Sequence, residues 1–330
     1  MNNKKVLINL NSSWNVFNFR LGLIKFLQSE GYEVFALAPI DEYVKHLESA
    51  GVKCYNISLN QKGVNPITDF ILFLQYLRLF NKIKPNLILS YTIKPNIYGN
   101  FAARILKIPT INNISGLGTL FIKTNFISSI GKILYKLSLR ISNHIFFQNN
   151  NDLELFIKSR LIKPYKCSVI PGSGVNTSIF KQNKKTNEGN KFLFVGRLIG
   201  DKGVFEYLEA AKQVLLEYPN LEFFLAGELG YNNKTAITKT QLDNYTNSNS
   251  QIKYLGKVDD MISLLESIDV VVLPSYREGL SKSLIEAASM SLPIITSDVP
   301  GCIDVVENDY NGLICKVKSI ESLKNNIKKI

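Results

Sequence analysis

Short apolar runs alternate along this chain with longer stretches of helical spacing. Runs at 6–10, 33–38, 87–90, 110–114, 144–148 and 167–170 form one series; a second starts at Phe192 and continues through 221–226, 252–255, 269–273, 294–297 and 312–317. Their near-continuous Val, Ile, Leu and Phe content suits strands buried on both faces, and helical stretches between them predict parallel sheets with helical crossovers. The expected fold class is therefore α/β, with one doubly wound parallel sheet per series. Pro171-Gly172-Ser173-Gly174 and the polar stretch 181–190 separate the two series. The expected domains are thus 1–172 and 191–330, joined by a linker at 173–190 and facing a cleft. A chain of 330 residues is long enough for two cores of ordinary size. The Asn- and Thr-rich segment 230–250 reads as an exposed loop or a short helix.

The second series carries the candidate chemistry. Its run at 269–273 stops at Pro274 and leads into Ser275-Tyr276-Arg277-Glu278-Gly279-Leu280-Ser281-Lys282-Ser283-Leu284-Ile285-Glu286. Ser281 ahead of Leu284, Ile285, Ala287 and Ala288 reads as a helix start, which leaves the amides of Gly279, Leu280 and Ser281 facing open space. Such a terminus favours an anion, phosphate above all. Glu286, further into the helix, suits vicinal hydroxyls such as those of ribose, and Glu278 in the loop is free to meet the other end of the ligand. Upstream, the run at 192–195 enters Gly196-Arg197-Leu198-Ile199-Gly200-Asp201-Lys202-Gly203. There the glycines let backbone approach a ligand closely, while Arg197 offers a fork and Lys202 a point charge to a diphosphate. Either segment alone fits many α/β proteins, and a random glutamate pair at this spacing is usually solvated surface charge. Together they point to a sugar nucleotide.

The pair of segments resembles glycosyltransferase family 4, retaining, nucleotide-sugar-dependent enzymes with two Rossmann-like domains in the GT-B arrangement. The resemblance covers essentially the whole chain. It implies Arg197, Lys202 and Glu278 as the catalytic group, the two cations on the donor diphosphate and Glu278 near the donor sugar. It also implies Gly196, Gly279, Leu280, Ser281 and Glu286 as donor-binding residues, with Glu286 on the ribose. Asp298-Val299-Pro300-Gly301-Cys302 and Asn311-Gly312-Leu313-Ile314 resemble the family's closing strand, turn and strand. In the first half, Tyr91-Thr92-Ile93-Lys94-Pro95-Asn96 and Asn112-Asn113-Ile114-Ser115-Gly116-Leu117-Gly118 resemble bacterial enzymes that build lipid-linked surface polysaccharides. The acceptor-side candidates there are Asn18, Arg20, Lys94, Ser115 and Gly116. Two departures stand out: Asn11-Ser12-Ser13-Trp14-Asn15-Val16 lacks the glycine-rich loop that many members carry after the first strand, and Ser115 stands where many have histidine. His46 and His144, the only histidines, have settings that suit structural roles. Members usually continue for a few more helices, so a chain ending in Lys328-Lys329-Ile330 is expected to be a fragment or a short form.

Charge adds a second theme. The first 180 residues hold 21 basic against 8 acidic side chains, net +13, and the remainder 18 against 19, net −1. No acid falls between Asp69 and Asp152, a span that carries ten lysines and arginines. Such a field attracts an anionic lipid surface or a phosphate-bearing acceptor. Within it, Phe126 to Arg140 sets Phe126, Ile130, Ile133, Leu134 and Leu137 on one helical side and Lys132, Lys136 and Arg140 on another, as in helices that lie on membranes. An ordinary amphipathic helix with a lysine-rich solvent face fits the same pattern. Nucleic acid is not an expected partner, since no helix-turn-helix, RNA-binding strand motif or zinc finger accompanies the charge. Cys54, Cys167, Cys302 and Cys315 lack C-x-x-C spacing, which suits reduced cytosolic thiols. No signal peptide precedes the first strand, and the longest apolar segment, 70–80, is too short to span a bilayer.

The expected function is transfer of a hexose or N-acetylhexosamine from a nucleoside-diphosphate sugar, UDP above all, to a polyprenyl-diphosphate-linked saccharide on the cytoplasmic membrane face, with the enzyme peripheral there. No cofactor or metal is expected, because cations flank the proposed diphosphate and no Asp-x-Asp occurs. Two rivals share the architecture: a sugar-nucleotide epimerase, which needs acid and base residues around its cleft, and a non-catalytic sugar-nucleotide-binding assembly partner.

Overall fold

The two series of apolar runs become two parallel sheets. The computed structural model describes residues 4–60, 65–116, 126–182, 189–230 and 233–330, with the backbone alone at 126–128. Contacts divide the chain into Met1–Ser173 and Gly174–Ile330.

In the first unit the strands are β1 (Lys5–Asn9), β2 (Glu33–Ala38), β3 (Lys53–Asn56), β4 (Leu87–Tyr91), β5 (Thr110–Ile114), β6 (His144–Phe147) and β7 (Cys167–Val169). Their order is β3-β2-β1-β4-β5-β6-β7. β3 has no counterpart among the apolar runs: Lys53-Cys54-Tyr55-Asn56 is half-buried or exposed, and its strand character comes from edge pairing with β2. One face of the sheet is covered by α1 (Ser13–Ser29), whose Val16 and Ile24 pack on Val6, Ile8, Leu89 and Tyr91. Ser12 starts this helix by accepting the Asn15 amide at 3.1 Å, so the glycine-free turn after β1 is a side-chain-capped helix entry. A short α2 (Val44–Ser49) packs beside α1.

The opposite face carries α3 (Pro66–Ile83), a π-turn at Pro95–Gly99 running into α4 (Asn100–Ile105), and α5 (Phe126–Arg140); α6 (Asn150–Lys158) follows β6. α3 and α5 both pack on the π-turn and α4, so the three form one layer. Buried amides bind that layer to β5. Asn112 Nδ2 donates to Asn96 Oδ1 at 2.7 Å, Asn100 Nδ2 donates to Asn112 Oδ1 at 2.9 Å, and the Ser142 hydroxyl donates to the same oxygen at 2.6 Å. A satisfied network of this kind fixes the register of the irregular turn against the sheet.

The second unit orders its strands β10-β9-β8-β11-β12-β13, from β8 (Lys191–Val195), β9 (Glu222–Ala226), β10 (Ile252–Gly256), β11 (Val270–Leu273), β12 (Ile294–Ser297) and β13 (Gly312–Cys315). Its helices are α7 (Val204–Leu215), α8 (Lys239–Ser248), α9 (Met261–Glu266), α10 (Lys282–Ser289) and α11 (Ile320–Lys329). Segment 230–250 thus holds a helix, started by a capping box between Thr238 and Gln241. Part of the expected linker belongs to this unit, since Phe180 packs on its core and the Phe180 carbonyl accepts the Ser289 hydroxyl at 2.6 Å. Strand order reverses between β1 and β4 in one sheet and between β8 and β11 in the other, the usual place for a ligand outside the strands' carboxyl ends.

Candidate functional site

The second unit joins its two motif loops at that reversal. Gly196 directly follows β8, and the 3-10 turn Gly200–Lys202 leads through Gly203 into α7. Gly203 has φ 77°, and a Cβ there would run into the Pro274 carbonyl, so only glycine lets this turn lie against the loop after β11. The contact is sealed by the Tyr276 amide and Ser275 hydroxyl, both donating to the Asp201 carbonyl, at 2.9 and 3.2 Å. Above it Lys202 Nζ is ion-paired with Glu278 Oε1, the two side chains 18% and 9% exposed. Residues 76 positions apart therefore form one charged pair, and Lys202 meets any ligand already shared with Glu278.

The other side of the glutamate loop rests on Gly301. With φ 78°, this glycine has no room for a Cβ beside the backbone of Glu278 and Gly279. Its carbonyl accepts the Ser281 amide at 3.3 Å. That corrects the expectation that the amides of 279–281 all face open space: the Ser281 amide is occupied, and the helix proper begins at Lys282. Ser281 is the N-cap but makes no side-chain cap hydrogen bond, so its hydroxyl does not occupy the first-turn amides of α10. Glu286, one turn in and 7% exposed, pairs with Lys282 Nζ at 3.2 Å. Its pKa is raised because burial disfavours the carboxylate, an effect that Lys282 opposes. The i,i+4 spacing of Lys282 and Glu286 could have disclosed that partner. Arg197 lies on the first loop with an exposed side chain, and Leu280 is half-buried. Nearby, burial pushes the Cys302 thiol up to about 12, which removes it as a nucleophile.

In the first unit the acceptor-side candidates gather at the carboxyl ends of β1, β4 and β5 but differ in electrostatic state. Lys94 is neutralised, its Nζ 2.5 Å from Asp69 Oδ1 with both side chains 11% exposed, while Tyr98 donates its hydroxyl to Asp69 Oδ2 at 2.9 Å. Arg20 is 7% exposed, and its guanidinium carbon sits 3.9 Å over the Tyr91 ring. Asn18 donates to the Trp14 carbonyl at 3.0 Å. Ser115 is exposed and Gly116 half-buried just past β5, and Leu117 and Gly118 lie outside the described residues. Thr92, which the motif reading passed over, has φ 67°, an outlying conformation for a β-branched residue.

The outer surface of the α3, α4 and α5 layer departs from an ordinary helical face. On α3, Ile67, Phe70, Ile71 and Leu74 follow i, i+3, i+4, i+7 spacing and are 71, 60, 49 and 47% exposed, whereas Leu72, Tyr76 and Phe80 fill the core. On α5 the core side belongs to Tyr135 and Leu139, and Ile130, Ile133 and Leu137 stay exposed next to Lys132, Lys136 and Arg140. The helix therefore presents apolar and basic residues together, and the Phe126 side chain lies outside the described residues. Among the described residues, no helix is long and apolar enough to cross a membrane.

Comparison with known proteins converges on one chemistry. Residues 175–330 match the family described as Glycosyl transferases group 1, and residues 5–149 match Glycosyl transferase 4-like. The chain is 30% identical, over 95% of its length and 85% of the relative's, to the N,N'-diacetylbacillosaminyl-diphospho-undecaprenol alpha-1,3-N-acetylgalactosaminyltransferase of Campylobacter jejuni. It is 28% identical, over 82% of its length and 71% of the relative's, to the UDP-Gal:alpha-D-GlcNAc-diphosphoundecaprenol alpha-1,3-galactosyltransferase of Escherichia coli. Among solved structures, Anabaena Alr3699/HepE in complex with UDP-glucose superposes with a TM-score of 0.80 at 17% identity, covering 98% of this chain and 89% of that one.

Proposed function

Because the chain belongs to glycosyltransferase family 4, we propose that it moves a hexose or N-acetylhexosamine from a UDP-sugar to a saccharide on polyprenyl diphosphate, with retention at the anomeric carbon. The observation that carries the donor half is the locked pair of loops: Gly203 on Pro274, Lys202 on Glu278, and the uncapped start of α10 beside them. In this reading the acceptor hydroxyl bonds to the anomeric carbon as the bond from that carbon to the diphosphate oxygen breaks. The electron pair leaves with UDP, and the acceptor proton passes to the departing phosphate oxygen. Arg197, Lys202 and the first-turn amides of α10 stabilise the charge that builds there, Glu278 holds Lys202 in place, and Glu286 accepts from the ribose hydroxyls. The first unit takes the acceptor. Support for the lipid-linked acceptor comes from the two relatives, both of which act on undecaprenyl-diphosphate-linked sugars by name.

The exposed apolar and basic face of α3 and α5 supports docking on an anionic leaflet, where such an acceptor resides. Exposed isoleucine, leucine and phenylalanine reach the acyl boundary while lysine and arginine meet lipid phosphates. Incubation with a panel of labelled UDP-sugars and lipid-linked acceptors tests the function, with mass spectrometry and anomeric NMR coupling of the product. Epimerised sugar nucleotide without transfer, or binding without turnover, would replace this assignment.

A further inference from the structure

Arg20 is an electrostatic anomaly. It sits on the buried side of α1, its Nε has no hydrogen-bond partner among the described residues, and no carboxylate lies against it there. Its one described neighbour of electrostatic consequence is the Tyr91 ring. A buried guanidinium is normally paired, since desolvation disfavours the charged form, and burial does lower the Arg20 pKa. Two further buried polar atoms lack hydrogen-bond partners: Thr92 Oγ1, on the residue after Tyr91, and Asn113 Oδ1. Tyr91 and Asn113 are register partners in adjacent parallel strands, so their side chains project from the same face of the sheet, about 4.8 Å apart in the strand-pairing direction. Tyr91 packs on the α1 side. Arg20, Tyr91 and Asn113 therefore share the α1 face at the carboxyl ends of β4 and β5, and Thr92 follows directly on Tyr91. The unpartnered groups comprise a forked cation, a hydroxyl and an amide oxygen.

We propose that Arg20, Thr92 and Asn113 form the seat of a glycosyl phosphate, with the guanidinium on the phosphate and the Thr92 and Asn113 oxygens on sugar hydroxyls. The chemistry of the three groups selects that ligand. A bare phosphate would leave the Asn113 oxygen without a donor, and a neutral sugar would leave the guanidinium without a counter-charge; a sugar joined to phosphate meets both needs. Lys94, bound to Asp69, is not the phosphate cation in this arrangement. The proposal rests on the transferase reading above. Within it the glycosyl phosphate has two sources, the first sugar of the lipid-linked acceptor or the UDP-sugar donor.

The test uses the full chain and calorimetry with an N-acetylhexosamine 1-phosphate carrying a short alkyl ester, with the matching UDP-N-acetylhexosamine, and with UDP as the control. Arg20→Met is expected to weaken the alkyl glycosyl phosphate at least tenfold, leave UDP affinity unchanged, and raise the Tm of the ligand-free protein because an unpaired buried charge is gone. A residue with a merely structural role would lower Tm instead. Asn113→Asp adds a carboxylate on the sheet face that the guanidinium covers, so it is expected to raise Tm and abolish glycosyl phosphate binding. Loss of UDP-sugar affinity with the alkyl probe unaffected would keep the seat and assign it to the donor. Unchanged binding of the alkyl glycosyl phosphate and of the UDP-sugar in both variants overturns the proposal. Transfer assays on the same proteins separate the two levels: wild-type transfer with an unaltered acceptor KM in Arg20→Met removes the seat and leaves the transferase intact, whereas a wild type without transfer removes the transferase reading.

Discussion

At Glu286 burial and function pull in opposite directions. Its pKa is raised by desolvation, with Lys282 pulling the other way. A carboxyl whose folded pKa lies above its unfolded value contributes stability in acid, and that contribution is lost as pH rises through the folded pKa. Glu286→Gln is therefore expected to raise Tm at neutral pH, measured by thermal unfolding. The same change removes the proposed charged acceptor for ribose hydroxyls, so UDP should bind about tenfold more weakly. In the wild type UDP affinity should fall as pH drops through a midpoint above the usual carboxylate range, and the glutamine variant should show no such midpoint. Arg197→Ala is expected to cut kcat/KM about 10²-fold with little change in Tm, since its side chain is exposed. Lys202→Ala should match that loss and also lower Tm, because Glu278 is left buried without its cation. These four side chains could be proposed from the sequence because each sits in a short contiguous motif whose residue types suggest that chemistry. The state of Arg20 could not, because an unpaired charge is defined by what surrounds it in space.

Elements were legible where periodicity has one interpretation. Twelve of the thirteen strands fall on the apolar runs, and the exception, β3, is an exposed edge whose pairing needs no apolar content. α3 shows the opposite failure. It is apolar on nearly every side, so its spacing does not reveal which stripe faces the sheet, and only packing leaves Ile67, Phe70, Ile71 and Leu74 outside. α5 likewise yields its core side to Tyr135 and Leu139. Vesicle sedimentation separates docking from incidental exposure. Phe70→Ser with Leu74→Ser, and separately Lys132, Lys136 and Arg140 all changed to Glu, should each release the protein from vesicles rich in anionic lipid, with UDP affinity unchanged. Wild-type binding should also fall with salt, since exposed charges are screened over about 8 Å at physiological ionic strength. Sedimentation indistinguishable from wild type in both variants would remove the membrane assignment.

For the whole molecule, one expectation concerns metal. The leaving diphosphate is neutralised in the proposed mechanism by Arg197, Lys202 and a helix terminus, so transfer should persist in excess EDTA; activity lost there and restored by Mg²⁺ or Mn²⁺ would require a different account of leaving-group stabilisation. The charge asymmetry, net +13 in the first 180 residues against −1 in the rest, needs no structure to be seen. By itself the sequence determined the alternation of strands and helices, the loops on which the proposed donor residues sit, and the basic character of one unit, because periodicity, turn chemistry and charge are properties of neighbouring residues. Tertiary structure alone decided that β1 lies beside β4 and β8 beside β11, that the Asp201 carbonyl receives Tyr276, and that Arg20, on the buried side of α1, meets no carboxylate among the described residues. Those outcomes depend on strand order, which is set by how whole helices and strands pack and brings together residues some 70 positions apart.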